Sequence, residues 1–267
     1  VSRLEIITKE RVKDEFCKML TCKHPIMAME LLRKIGAMHY VIPELEETYS
    51  MTQNEYHFGT VWEHTMMVLE GTKDDNMILR ISALLHDIGK IRVCTEDDGK
   101  IHFLKHELKS GEMIDELLRP LKFSNEIIKE VTFLVRNHMI CKTWGSECEY
   151  MKDKKLRRFQ YECKTEERFR NLMTIIDADN NAYAADKCMP KQVEFILSRT
   201  EAMKAEGSAM FGYKLPLTGK EIMDLKGIKP GSAVKECLDY LMKIAFVNPL
   251  RKKEEFVKHL LGYRLQK

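Results

Sequence analysis

His86 and Asp87 stand side by side in Leu84-Leu85-His86-Asp87-Ile88-Gly89-Lys90, where an apolar run beginning at Met77 comes to an end. An imidazole nitrogen beside a carboxylate oxygen, held at the rim of a core, is a donor set that a divalent cation accepts. One such pair is weak evidence, because helix ends commonly hold hydrogen-bonded His-Asp neighbours. Other residues of the same chemistry strengthen it. His64 lies in Trp62-Glu63-His64-Thr65 and His106 in Phe103-Leu104-Lys105-His106-Glu107. His138 closes Leu134-Val135-Arg136-Asn137-His138, and Asp179 follows an apolar stretch in Ile175-Ile176-Asp177-Ala178-Asp179. Each sits on or beside a different amphipathic segment, so a helical bundle can bring all of them to one centre.

The elements that must do this read mainly as helices. Apolar residues recur every three or four positions over 12–19, 26–35, 61–69, 77–85, 113–118, 127–135, 169–176 and 193–203, with later helices at 220–225, 233–245 and 253–261. Gly89 is expected to terminate the helix that carries the His-Asp pair. One stretch breaks the pattern: 91–94 and 100–103 flank Glu96-Asp97-Asp98-Gly99, which predicts a small β-hairpin. The fold class is therefore all-α with a hairpin insert. Three sections are expected: an N-terminal helical segment over 1–47, a central domain over 48–185 and a C-terminal helical tail over 186–267.

The order His64, His86-Asp87 and a distal aspartate resembles the HD phosphohydrolase superfamily. More narrowly, Tyr56-His57, Val61–Thr65, Leu84–Lys90, Gly99–Phe103 with His106, Leu134–Met139, Arg157-Arg158-Phe159 and Ala178-Asp179 resemble the HD domain of bacterial tRNA nucleotidyltransferases and poly(A) polymerase relatives. Glu10-Arg11-Val12 through Ile42-Pro43-Glu44-Leu45 resembles their helical neck, and Leu217-Thr218-Gly219-Lys220 to Lys229-Pro230-Gly231 their C-terminal helical region. The sequence shows no Gly-rich turn followed by paired strand aspartates, which that family's catalytic head requires. Asp177-Ala178-Asp179 has suitable letters but lies in a helical run. Nucleotide addition is not expected of this chain alone.

The resemblance implies a metal held by His64, His86, Asp87 and Asp179, and a second metal nearby through His106 and His138 with Asp87 bridging. Asp179 is preferred to Asp177 because the Ala-Asp pair fits the family. Mixed His/Asp ligation suits one or two ions of Mn, Fe, Ni, Co, Zn or Mg. Such an ion activates water for attack on phosphorus. Asp87 would be central to that chemistry, and Lys90 can neutralise a phosphate oxygen. The implied activity is metal-dependent hydrolysis of a nucleotide or RNA phosphate. The rival expectation is an RNA-binding, tRNA-contacting body with a non-catalytic metal site. His57 is expected to pack near the site and His102 to flank it.

Composition narrows the setting. The 267 residues are 44% apolar and 32% charged, and the net charge of +3 gives no global pull toward nucleic acid. Any RNA contact must come from local clusters such as Lys152–Arg158 and Arg251-Lys252-Lys253, with Trp144, Phe159 and Tyr161 as candidate stacking partners. No apolar run approaches the ~20 residues of a membrane span. Eight scattered cysteines without a C-x-x-C pair fit a reducing compartment, so a cytoplasmic location is expected. The first residue is Val, which predicts a processed or truncated N-terminus and leaves room for a preceding domain.

Overall fold

The computed structural model describes residues 6–54, 59–72, 75–183 and 187–265. Helices dominate them, and the one sheet found there is a two-stranded antiparallel hairpin. The elements are α1 (Lys9–Leu20), α2 (Pro25–Lys34), α3 (Val61–Gly71), α4 (Met77–Leu85), α5 (Lys90–Val93), β1 (Thr95–Asp97), β2 (Lys100–His102), α6 (His106–Leu118) and α7 (Asn125–Asn137). They continue with α8 (Asp153–Cys163), α9 (Glu166–Asn181), α10 (Gln192–Ala205), α11 (Gly219–Lys226), α12 (Ser232–Val247) and α13 (Lys253–Gly262). The all-α expectation holds.

The chain forms two compact units, one of Val1–Glu147 with Arg170–Val193 and one of Cys148–Phe169 with Glu194–Lys267. In the first, α4 is the central rod. Every residue from Leu79 to Leu85 is buried, as expected of a helix surrounded by others. It packs against α3 and α7, and α7 packs against α6. Val68, Leu69, Ile81, Leu85, Ile114, Leu118, Val131 and Val135 are buried on these helices, as are Ile175 and Ile176 on α9. Each such fully buried aliphatic side chain contributes roughly 1.5–3 kcal/mol of burial free energy. In the second unit, Met210, Leu217, Ile222, Leu241, Phe256 and Leu260 form the core of α11 to α13.

Two local readings need correction. The first hairpin strand begins at Thr95, not Ile91, because the chain stays helical past the His-Asp pair: Lys90 N–H donates to Asp87 O at 2.9 Å and Arg92 N–H to Gly89 O at 2.9 Å. Gly89 is not a left-handed helix stop either, since its φ is −65°. A Cβ there would lie 2.4 Å from Ser110 N and 2.5 Å from His106 O. Glycine at 89 lets the His-Asp turn touch the start of α6, and Gly89 N–H donates to Ser110 Oγ at 2.8 Å.

Candidate metal centre

Each candidate side chain is delivered by a defined helix end or turn. A capping box starts α3: Thr60 Oγ1 accepts from Glu63 N–H at 3.2 Å, and Glu63 Oε2 accepts from Thr60 N–H at 2.7 Å. That fixes the helical phase which turns His64 inward. Asn76 caps α4 by accepting from Ile78 N–H at 2.9 Å, and the helix then delivers His86 and Asp87 just past Leu85. Lys105 takes a left-handed φ of 60° and turns the chain into α6 at His106. His138 follows the last residue of α7, and Asp179 lies in the last turn of α9.

These six side chains converge, and all are buried. Asp87 is the hub. Its Oδ1 lies 3.1 Å from His106 Nε2 and 3.7 Å from His138 Nε2, and its Oδ2 lies 3.3 Å from His86 Nε2 and 3.6 Å from His64 Nε2. Asp179 Oδ1 lies 3.2 Å from His64 Nε2 and 4.0 Å from His86 Nε2. Two sets of potential ligand atoms result, His64-His86-Asp87 and Asp87-His106-His138, sharing one carboxylate.

The imidazoles are oriented from behind. Nδ1 of His64, His86, His106 and His138 faces the carbonyl oxygen of Ala182, Ala83, Phe103 and Val135 at 3.2, 2.8, 2.9 and 2.7 Å. A carbonyl only accepts, so each Nδ1 carries a hydrogen, and Nε2 of the neutral ring presents a lone pair. Yet His64 Nε2 and His86 Nε2 are 3.3 Å apart, and His106 Nε2 and His138 Nε2 are 3.4 Å apart. Two facing nitrogens at that separation share a cation, whether a proton or a metal ion. The donor set thus fits a divalent ion in chemistry and in tautomer.

Electrostatics agree. Burial would raise the pKa of Asp87, but His86, Lys90 and His106 hold it well below the carboxylate range. Asp179 is likewise held down, against burial, by Lys142, His64 and His86. Burial pushes His138 down to about 3, helped by repulsion from His86 and His106, so this ring stays neutral and able to ligate. His86 is the exception. Burial opposes its charge, but Asp87 and Asp179 outweigh that and raise its pKa. Two lysines supply positive charge: Lys90 Nζ lies 2.7 Å from Asp87 Oδ2, and Lys142 Nζ lies 2.9 Å from Asp179 Oδ2.

The other sequence candidates fall out differently. Asp177 is turned to Asn181, whose amide donates to its backbone and side-chain oxygens at 2.7 and 3.3 Å. His102 is in β2, outside the cluster of converging Nε2 atoms, and His57 lies outside the described residues. Trp144 and Phe159 are buried in the cores of their own units and present no face to a base, which corrects their reading as stacking partners. Arg157 is structural too, donating to the carbonyls of Ser208 and Val247 at 3.3 and 2.9 Å. Tyr161 remains partly exposed. The sequence reading missed Lys142, Asn180 and Tyr183. Lys142 follows His138 by four residues, and Asn180 adjoins Asp179, but neither type stands out in a search for metal ligands.

Residues 54–180 match the HD domain family, and residues 1–48 match a family described as a probable RNA and SrmB-binding site of polymerase A. The A-adding tRNA nucleotidyltransferase of Deinococcus radiodurans is 28% identical over 243 residues, covering 88% of this chain and 54% of that protein. The CC-adding tRNA nucleotidyltransferase of Thermus thermophilus is 27% identical over 266 residues, covering 96% of this chain and 57% of that protein. A multifunctional CCA protein of Actinobacillus pleuropneumoniae is 31% identical over 143 residues, 51% of this chain. The chain thus spans about half the length of the first two relatives. No helix among the described residues is long and apolar enough to cross a membrane.

Proposed function

We propose, on the premise that this chain carries an HD domain and is homologous over most of its length to tRNA nucleotidyltransferases, that it is a divalent-metal-dependent phosphohydrolase acting on a nucleotide or RNA phosphate. The observation that carries this reading is the convergence of four oriented Nε2 atoms on one buried carboxylate. His64, His86, Asp87 and Asp179 would hold one ion, and Asp87, His106 and His138 a second. When bound, a divalent ion supplies Lewis acidity toward phosphate and makes water a nucleophile near neutral pH. The protein's own groups do the rest. The four backbone carbonyls lock the imidazole tautomers, and Asp87 ties the two imidazole pairs together. Lys90 is held by Gln53 Oε1 at 2.6 Å and by Asp87. Its ammonium would neutralise a phosphoryl oxygen. A cytoplasmic location, a nucleotide or RNA phosphate as substrate and the three-section division 1–47, 48–185 and 186–267 belong to the same proposal.

A second reading has its own support. The match of residues 1–48 to an RNA-binding segment, together with homology reaching through the C-terminal helices, fits a tRNA-contacting body whose metal site does no hydrolysis. The deciding assay is phosphate or ester release from 2′,3′-cyclic AMP, 2′-AMP, a bis-aryl phosphodiester and tRNA ending in a phosphate. Mn²⁺, Ni²⁺ and chelator serve as arms, with Asp87→Asn as control. Metal-dependent turnover absent from Asp87→Asn supports the hydrolase. No turnover with any metal, by folded protein that still binds tRNA, replaces it with the RNA-binding body.

A further inference from the structure

Lys142 carries information that the candidate ligands alone do not. Its ammonium lies 2.9 Å from Asp179 Oδ2, yet that oxygen makes no aligned hydrogen bond among the described residues. The contact is therefore charge pairing rather than a directional anchor. The ammonium is held on its other sides by Asn180 Oδ1 at 2.8 Å and by the face of the Tyr183 ring, 4.0 Å to its centroid. Asn180 is fixed in turn: its amide donates to Gln192 Oε1 at 3.0 Å, and Gln192 Nε2 donates to the carbonyls of Cys141 and Gly145 at 3.0 and 2.7 Å. A buried polar network thus parks a lysine beside one candidate metal ligand. The two lysines differ. The Lys90 side chain is 2% exposed, whereas that of Lys142 is 15% exposed and has a route to solvent.

We propose that Lys142 is a resident counter-ion for Asp179, which a divalent metal displaces on binding and which thereby sets the affinity of the His64-His86-Asp87-Asp179 position. This inference rests on the metal-centre reading. Its physical basis is that a buried carboxylate needs a positive partner whether or not metal is present. The ammonium provides that charge without metal and repels an arriving dication. Lys142 is a positioning residue: it acts through Asp179 and its charge, whereas Lys90 contacts Asp87, the carboxylate that both ligand sets share.

The test is Mn²⁺ calorimetry on wild type, His86→Ala, Lys142→Met and Lys142→Arg, with a thermal melt of each in chelator. Lys142→Met keeps much of the aliphatic bulk and removes the charge. We expect it to melt lower than wild type in chelator and to bind Mn²⁺ about tenfold tighter or more, since a tenfold change is only ~1.4 kcal/mol of relieved repulsion. Lys142→Arg should stay near wild type. A purely structural lysine would lower the melt without tightening the metal. Unchanged or weaker binding by folded Lys142→Met overturns the proposal. Wild-type protein gives a second readout that needs no variant: pulsed amine acetylation followed by mass spectrometry, with and without saturating Mn²⁺. Lys142 should label faster with metal, and equal or slower labelling refutes displacement. If wild type and His86→Ala alike bind no Mn²⁺, the metal-centre reading itself fails, and this inference with it.

Discussion

At the scale of single residues, the cluster works because each group is paired twice, once behind and once in front. The imidazoles lean on carbonyls through Nδ1 and meet Asp87 through Nε2. Removing Asp87 should therefore cost the metal-free fold as well as the chemistry. Asp87→Ala takes the carboxylate from the buried Lys90 ammonium and should lower stability by ~3–5 kcal/mol, read as a urea midpoint in chelator. Asp87→Asn, which keeps an oxygen toward Lys90, should cost less. Acidity offers a second check. His138 is held near pKa 3 in the fold against 6.5 for an ordinary imidazole. A depressed histidine favours the folded state fully above 6.5, and that contribution is lost as pH falls from 6.5 toward about 3. His86 is shifted the opposite way, so the effect is read as a difference. The stability of wild type in chelator, relative to His138→Gln, should fall between pH 7.5 and 5. A difference independent of pH would contradict a buried neutral His138. The ligand-type residues were legible in the sequence because they recur, each on or beside a different apolar helix, in an order that resembles the HD superfamily. Lys142 and Tyr183 were not, since their roles depend on a packed loop and on which face of α9 it meets.

Among elements, Gly89 sets the distance between the His-Asp turn and α6. Gly89→Ala drives a Cβ into the backbone of His106 and Ser110, at 2.5 and 2.4 Å. Neither atom can rotate away, so we expect a loss of ~1–3 kcal/mol or more, with His106 displaced. Gly111→Ala is the comparison. Its Cβ would lie 1.9 Å from Arg136 Cγ and 3.3 Å from Arg136 Cβ, so the Arg136 side chain must leave its rotamer, but the three nearest atoms are all side chain rather than backbone. Alanine also favours the helix by ~0.5–1 kcal/mol, so that variant should lose less than Gly89→Ala in a thermal melt. A larger loss for Gly111→Ala would contradict the seating of Gly89 against the α6 backbone. The periodic patterns of α3, α4 and α7 announced these helices and the faces that carry His64, His86 and His138. The helical turn at Lys90–Val93 did not announce itself, because four residues are too few for a period and Ile91 and Val93 favour strands. Helix α8 was hidden for a different reason. Its run of Lys and Arg reads as a basic cluster, although Leu156, Arg157, Phe159 and Gln160 form its buried side.

For the whole molecule, the hydrolase reading and the RNA-body reading differ in what the metal centre must do for RNA. If residues 1–48 and the C-terminal helices hold tRNA while the cluster does chemistry, Asp87→Asn should bind tRNA as wild type does. Both should lose affinity steeply with added salt, because phosphate contacts release counterions. A filter-binding series from 50 to 200 mM salt, over which the Debye length falls from ~14 to ~7 Å, reads this. Loss of tRNA binding in Asp87→Asn at every salt would tie the cluster to RNA architecture instead. The clustered charge near Lys152–Arg158 was visible in the sequence, but its division of labour was not, since burial of Arg157 is a property of the packed second unit. The most direct test of the account is metal content after equilibrium dialysis against Mn²⁺, measured by elemental mass spectrometry on wild type and Asp87→Asn, both confirmed folded. The account predicts at least one tightly retained ion per wild-type chain and a large loss in Asp87→Asn, whose carboxylate is shared by both ligand sets. Equal metal in the two proteins, or none in either, would contradict it.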